Sequence, residues 1–124
     1  MVYAKKRRLG DTNALEITID IDSKDRANLL DKYRKALRFG KTQVTETVKG
    51  FHLRISSHVE DPWEILRIRH LIGDDTKRIE HDKVLIQLGH PELANRLFEA
   101  KKVNGKYVKE KHFDILKLKR SDNE

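Results

Sequence analysis

Between positions 17 and 22 the chain reads Ile17-Thr18-Ile19-Asp20-Ile21-Asp22, apolar and polar residues alternating with period two. That is the signature of a β-strand buried on one face. The three isoleucines must lie on a core, and a slip of one residue would expose all of them, so the run dictates its own orientation. The opposite face carries Asp20 and Asp22, two residues apart and therefore pointing the same way. Strands are poor in aspartate and neighbouring like charges repel. Such a face either lies in open water or binds something positive.

The remaining elements follow from spacing and turn chemistry. Residues 25–39 have Ala27, Leu30, Tyr33 and Leu37 at helical intervals, with Ser23 or Lys24 at the start and Gly40 as the stop. Residues 42–48 alternate Thr and Val and predict a strand; Lys49-Gly50 suits a tight turn. Residues 51–57 return as a strand, with Phe51, Leu53 and Ile55 on one face and His52, Arg54 and Ser56 on the other. Asp61, Pro62 and Glu64 predict a capped helix start. That helix runs to about Ile72 with Trp63, Leu66, Ile68 and Leu71 as core positions, and Gly73 ends it. Residues 78–82 predict a short fourth strand, Ile79 inward and Arg78, Glu80 and Asp82 outward. A helix is expected over 91–100, a hairpin turning at Asn104-Gly105, and a last strand over 112–119. Residues 1–13, with the basic cluster Lys5 to Arg8, predict a flexible basic arm, and 120–124 a frayed tail. Residues 14–119 then form a single domain.

Strand, helix, strand, strand, helix, strand is the α+β, ferredoxin-like (RRM-like) split βαβ order, with a C-terminal helix and hairpin added. Right-handed crossovers place both helices on one face of an antiparallel sheet, with the first strand central. The helix-free face then gathers Asp20, Asp22, His52, Arg54, Ser56, Glu80 and Asp82. Clustered carboxylates without cysteine suit Mg²⁺ or Mn²⁺, which commonly bridge substrate phosphates. His52 and Arg54 would contact phosphate oxygens. Taken singly, these pieces have plainer explanations: Asp-x-Asp is common on strands, and Asp74-Asp75 reads as a helix-ending turn and cap.

Composition sets further limits. The 124 residues fit one domain, which buries roughly two thirds of its unfolded surface. Lysine and arginine number 27 against 20 acidic residues, a net charge of +7 that favours a polyanion such as nucleic acid. A soluble basic protein without that partner would have the same balance. The absence of cysteine excludes disulfides and thiolate metal sites. With no apolar run near ~18 residues and no signal peptide visible, the expectation is a cytoplasmic protein with no membrane partner. The 38% of charged residues, with one Met, resembles thermophile usage.

The ordered pieces resemble the archaeo-eukaryotic primase superfamily, the primase–polymerases, over about residues 15–100. An apolar strand ends in Asp-x-Asp (Ile19-Asp20-Ile21-Asp22), a small-x-His element follows (Gly50-Phe51-His52), and an aspartate closes a later strand (Asp82 in Arg78-Ile79-Glu80-His81-Asp82). The stretch from Leu66-Arg67 to Gly73-Asp74-Asp75 and Arg78 is similar to one found between the second and third motifs of small archaeal and viral members. The resemblance implies metal-dependent nucleotidyl transfer in replication of a genome or mobile element. Asp20, Asp22 and Asp82 would be catalytic and bind two Mg²⁺ or Mn²⁺ ions. His52 would hold the phosphates of a nucleoside triphosphate, with Arg54 or Arg78 assisting. The zinc module and the N-terminal template-binding module of many members are not seen, which implies a minimal core served by a replication partner protein. A short chain with one open sheet face also suits a homodimer.

Three other classes bear on the same residues. A non-catalytic RRM-like binder stacks bases on exposed sheet aromatics, and none is expected on the open face. A rolling-circle endonuclease needs two histidines alternating on one strand, which His52-Leu53-Arg54 does not supply, although Tyr107 could be nominated as nucleophile. A structural protein of a virus or mobile element would keep the fold with its carboxylates unused.

Overall fold

The isoleucine alternation forms β1 (Leu15–Ile21) in the computed structural model, which describes residues 15–97 and 100–117. Ile17, Ile19 and Ile21 are at most 2% exposed. β3 (Phe51–Ser57) pairs antiparallel along the whole of β1, from Leu15↔Ser57 to Ile21↔Phe51. That register puts Phe51, Leu53 and Ile55 on the isoleucine face. β2 (Thr42–Glu46) lies on the far side of β3 and adds Val44 opposite Leu53.

Two helices cover this face. α1 (Arg26–Leu37) starts at Asp25, whose side chain accepts from the Ala27 backbone N–H, and buries Leu29, Leu30, Tyr33 and Ala36. Ala27 and Leu37, expected in the core, are exposed, because a helix starting at Asp25 turns the 29-30-33-36 stripe inward. α2 (Pro62–Ile72) has the expected Asp61 cap, first-position proline and left-handed Gly73 stop. Its core stripe is Ile65, Ile68 and Ile72, with Leu66 also buried; Trp63 and Leu71 face outward. The stripe runs through Arg69, which is buried as well and whose charge hid the true helical face.

The result is an α+β fold with a four-stranded antiparallel sheet in the order β1-β3-β2-β6, β6 being the short strand Lys111–His112. The expected strand over 78–82 is instead part of a helix, α3 (Thr76–Gln87). Asp75 caps α3 through the Lys77 backbone N–H, and Ile79 and Asp82, three apart, are its buried residues. Five residues with one apolar member fit either period, and the Asp75 cap with Ile86 at helical spacing from Ile79 and Asp82 favours the helix.

β1 is therefore an edge strand rather than a central one. The backbone groups of its outer edge are met by side chains. Asp74 Oδ1 accepts from the Asp20 N–H at 2.8 Å. Asn95 Oδ1 accepts from the Thr18 N–H at 2.9 Å, and Asn95 Nδ2 donates to the Glu16 carbonyl at 2.7 Å. Arg78 Nη1 donates to the Thr18 carbonyl at 3.0 Å. Buried backbone groups must find partners, and here three side chains replace a neighbouring strand.

The helix expected over 91–100 shrinks to a 3-10 turn, Pro91–Leu93. The hairpin forms as expected, β4 (Ala100–Val103) with β5 (Lys106–Lys109), turned by Asn104 and Gly105, both at positive φ. The last expected strand reduces to β6 (Lys111–His112), paired with β2. Phe113 then meets Phe51 edge-on at 5.0 Å, which draws the chain back onto the core instead of along the sheet. The basic arm and the tail fall outside the described residues. No helix among the described residues is long and apolar enough to cross a membrane.

Candidate functional site

The β1–β3 register sets Asp20 directly opposite His52. Nε2 of His52 lies 3.5 Å from Oδ1 of Asp20. Gly50 makes this possible: a Cβ there would stand 1.8 Å from the Ile21 carbonyl oxygen, so only glycine lets the turn lie against the end of β1. This is a physical reason for the small residue two before the histidine.

Behind His52 stands Glu110, in the link between β5 and β6. Its Oε2 is 2.6 Å from His52 Nδ1, and its Oε1 accepts from Arg54 Nη1 at 2.7 Å. An ionised Glu110 accepts a hydrogen bond from His52 Nδ1 and so turns Nε2 toward Asp20. Burial disfavours the charged form of Glu110, but hydrogen bonds from Arg54 and His52 outweigh it and hold its pKa below the ordinary range. Asp20 goes the other way. Burial raises its pKa, Asp74 and Asp75 add repulsion, and His52 and Arg78 oppose the rise.

These groups line a cleft of about 760 Å³, well within the range of small-ligand sites. Asp20, Asp22, Asp75 and Glu110 supply acids to its wall, and Lys49, Lys77 and Arg96 supply cations. Val108, Leu93 and Leu97 add apolar surface. Asp20, Asp22 and Asp75 also border a second opening that reaches Lys32 and His70.

The sequence-derived residues divide. Asp20 and His52 come together, and Asp22 borders the same cleft. Asp82 borders the cleft but sits on α3 rather than on a sheet strand, 4% exposed. Its Oδ2 accepts from Arg69 Nη1 at 2.7 Å and from the Asn95 N–H at 2.9 Å. Arg69 also donates to Asp74 at 2.8 Å, and Arg78 donates to the same carboxylate at 2.7 Å. Asp82 thus belongs to a buried ion-pair network joining α2, α3 and β1. Arg54 is occupied by Glu110 and Thr45. Arg78 is tied to Thr18, Asp74 and the Arg96 carbonyl, and its burial lowers its pKa. Glu80 is exposed on α3.

Among the described residues, no group of three or more His, Cys, Asp or Glu side chains is arranged to hold a metal ion. A three-aspartate centre through Asp82 does not fit this arrangement. Asp20 and Asp22 suit the different habit of Mg²⁺, which keeps several waters and needs only one or two carboxylates beside substrate phosphates.

No protein-family model, curated protein or solved structure matches the chain. The site therefore rests on its own geometry.

Sequence reasoning missed Glu110, Lys49, Lys77 and Arg96. Glu110 carried a signal, as the one acid in a basic run from 100 to 113. The cations are far apart in sequence and meet only through the fold.

Proposed function

We propose that this chain is a minimal primase-type core, a cytoplasmic protein that binds a nucleoside triphosphate together with Mg²⁺ or Mn²⁺ for nucleotidyl transfer onto nucleic acid. The observation that carries this is the mixed wall of the cleft, with Asp20 and Asp22 beside Lys49, Lys77 and Arg96. Carboxylates alone would repel a triphosphate, and lysines alone would leave no role for paired aspartates on a strand end. A metal-bound triphosphate satisfies both.

Asp20 and Asp22 would hold the ion, which when bound neutralises phosphate charge and polarises the reacting phosphoryl group. The cations would bind the outer phosphates. His52, pinned by Glu110, orients Asp20 and presents Nε2 to the cleft. Phe51 is buried, so among the described residues the sheet around His52 offers no Phe, Tyr or Trp ring for stacking, which counts against an RRM-like binder using this face. The incomplete metal cage suits a core that acts with a replication partner protein.

Calorimetric titration of a nucleoside triphosphate tests this reading. Binding should require Mn²⁺ and fall when Lys77 is changed to Glu. Equal binding in EDTA, or none with metal, overturns it.

A further inference from the structure

The only acid between residues 100 and 113 is Glu110, in a stretch that holds Lys106, Lys109 and Lys111. β5 covers Lys106–Lys109 and β6 covers Lys111–His112, with Glu110 in the link between them, and alternate side chains within each strand face opposite ways. Val108 and Glu110 face the cleft. Tyr107 and Lys109 therefore lie on the other face of β5, and Lys111, paired with Glu46, follows one residue beyond Glu110 and also stays out of the cleft wall. The alternation draws the single carboxylate inward, where His52 and Arg54 bind it, and leaves an outer row of one aromatic and two cations.

That row is open. Tyr107 is 74% exposed, the most exposed of the large apolar or aromatic residues among those described, and Lys109 and Lys111 are exposed. Neither lysine has a carboxylate partner among the described residues. The row stands on a hairpin fixed by its Asn104-Gly105 turn at one end and by β6 pairing to β2 at the other. Its groups repeat at about 6.6 Å, twice the rise of a strand residue, a spacing that lets neighbouring lysines meet successive phosphates of an extended strand.

We propose that this outer face binds single-stranded nucleic acid, with the Tyr107 ring stacked on a base and Lys109 and Lys111 on adjacent phosphates. Sequence-tolerant single-strand binders combine an aromatic platform with cations that track the backbone. The net charge of +7 favours the same partner. None of the three residues lines the cleft, so this binding needs neither nucleotide nor metal.

Fluorescence anisotropy with a labelled single-stranded oligonucleotide of roughly 15 nucleotides, in EDTA and without nucleotide, tests it. Tyr107→Ala should weaken binding roughly 5- to 100-fold and Tyr107→Phe should restore it. Changing both Lys109 and Lys111 to Gln should lower the salt slope by about 1.4, at about 0.7 per single-strand phosphate contact. A duplex, whose bases are already stacked, should bind more weakly. The melting temperatures of the variants, all altered at exposed positions, should match the wild type. Wild-type affinity in Tyr107→Ala, equal binding of duplex, or no binding by the wild type overturns the proposal. Because nucleotide and metal are absent, these outcomes are independent of whether the cleft takes a nucleoside triphosphate.

Discussion

Asn95 stands against Thr18 as a neighbouring strand would, its amide accepting from the Thr18 N–H at 2.9 Å and donating to the Glu16 carbonyl at 2.7 Å. Asn95 itself has φ 65°, a conformation that asparagine tolerates and alanine does not. Asn95→Gly therefore removes the side chain without adding backbone strain. Thr18 is only 5% exposed, so its N–H loses a partner where water is scarce. The expected cost is about 1–3 kcal/mol, seen as a lower urea midpoint with an unchanged m-value. A loss under about 0.5 kcal/mol would mean that water covers this edge as well as the amide does.

The Arg69–Asp82 pair is buried, its two residues 1% and 4% exposed. Asp82→Asn leaves Arg69 with Asp74 as its remaining carboxylate. Breaking a buried pair by removing one partner typically costs about 3–5 kcal/mol, which urea denaturation at neutral pH would read. Nucleotide affinity in Mn²⁺, measured well below the melting temperature, should change little. A metal centre built on Asp82 would show the reverse, with stability kept and metal dependence lost.

The legible parts of the chain were those where local pattern and tertiary demand agree. Period two in β1 and β3, the Asp61-Pro62 start of α2, its Gly73 stop and the Asn104-Gly105 turn are all visible in the sequence because each is set by residues within one turn. Arg78 to Asp82 failed for the opposite reason. Ile79 alone cannot distinguish a strand from a helix; the Asp75 cap and Ile86 favour the helix, and Asp82 reaching Arg69 thirteen positions earlier turns that helix's buried face to the core. Arg69 likewise hid the buried stripe of α2, since its charge is tolerable only with Asp74 and Asp82 beside it. At the site, Asp20 and His52 were readable because paired strands hold them in register. Glu110 lies 58 positions from His52, and no local rule links them.

Glu110 and Asp20 should pull the acid side of the stability curve in opposite directions. Glu110 titrates lower in the folded protein than in the unfolded chain, so its contribution is complete above about its ordinary value of 4.5. It is lost as pH falls through the lower folded value. Asp20 is raised, so its contribution is complete below its ordinary 3.8 and is lost as pH climbs through the folded value. Glu110→Gln should reduce stability near neutrality and flatten the fall on acidification, the two curves converging at low pH. Urea unfolding at steps between about pH 3 and pH 7 would show it. A constant offset across that range would mean that Glu110 acts through packing rather than charge.

Asp20→Asn should do two opposite things. In the metal-free protein burial disfavours the Asp20 charge, and with the lesser repulsion from Asp74 and Asp75 it outweighs the attraction of His52 and Arg78. Removing its charge should leave the apo melting temperature unchanged or higher. The Asp20 N–H bond to Asp74 belongs to the backbone and survives the substitution. A divalent ion, by contrast, binds only the folded site and needs the ionised carboxylate. Mn²⁺ with a nucleoside triphosphate should stabilise the wild type by about 2.7 kcal/mol when the ligand is 100-fold above its Kd. Asp20→Asn should lose that stabilisation, together with any transfer from labelled triphosphates. For the wild type the stabilisation should also fade as pH drops through the raised Asp20 titration, because protons and metal compete for one carboxylate. A wild-type melting temperature that Mn²⁺ and nucleotide leave unmoved would remove the metal-nucleotide reading of the cleft. A shift that survives in Asp20→Asn would move the ion to other ligands, with Asp22 and Asp75 next in line on the same wall.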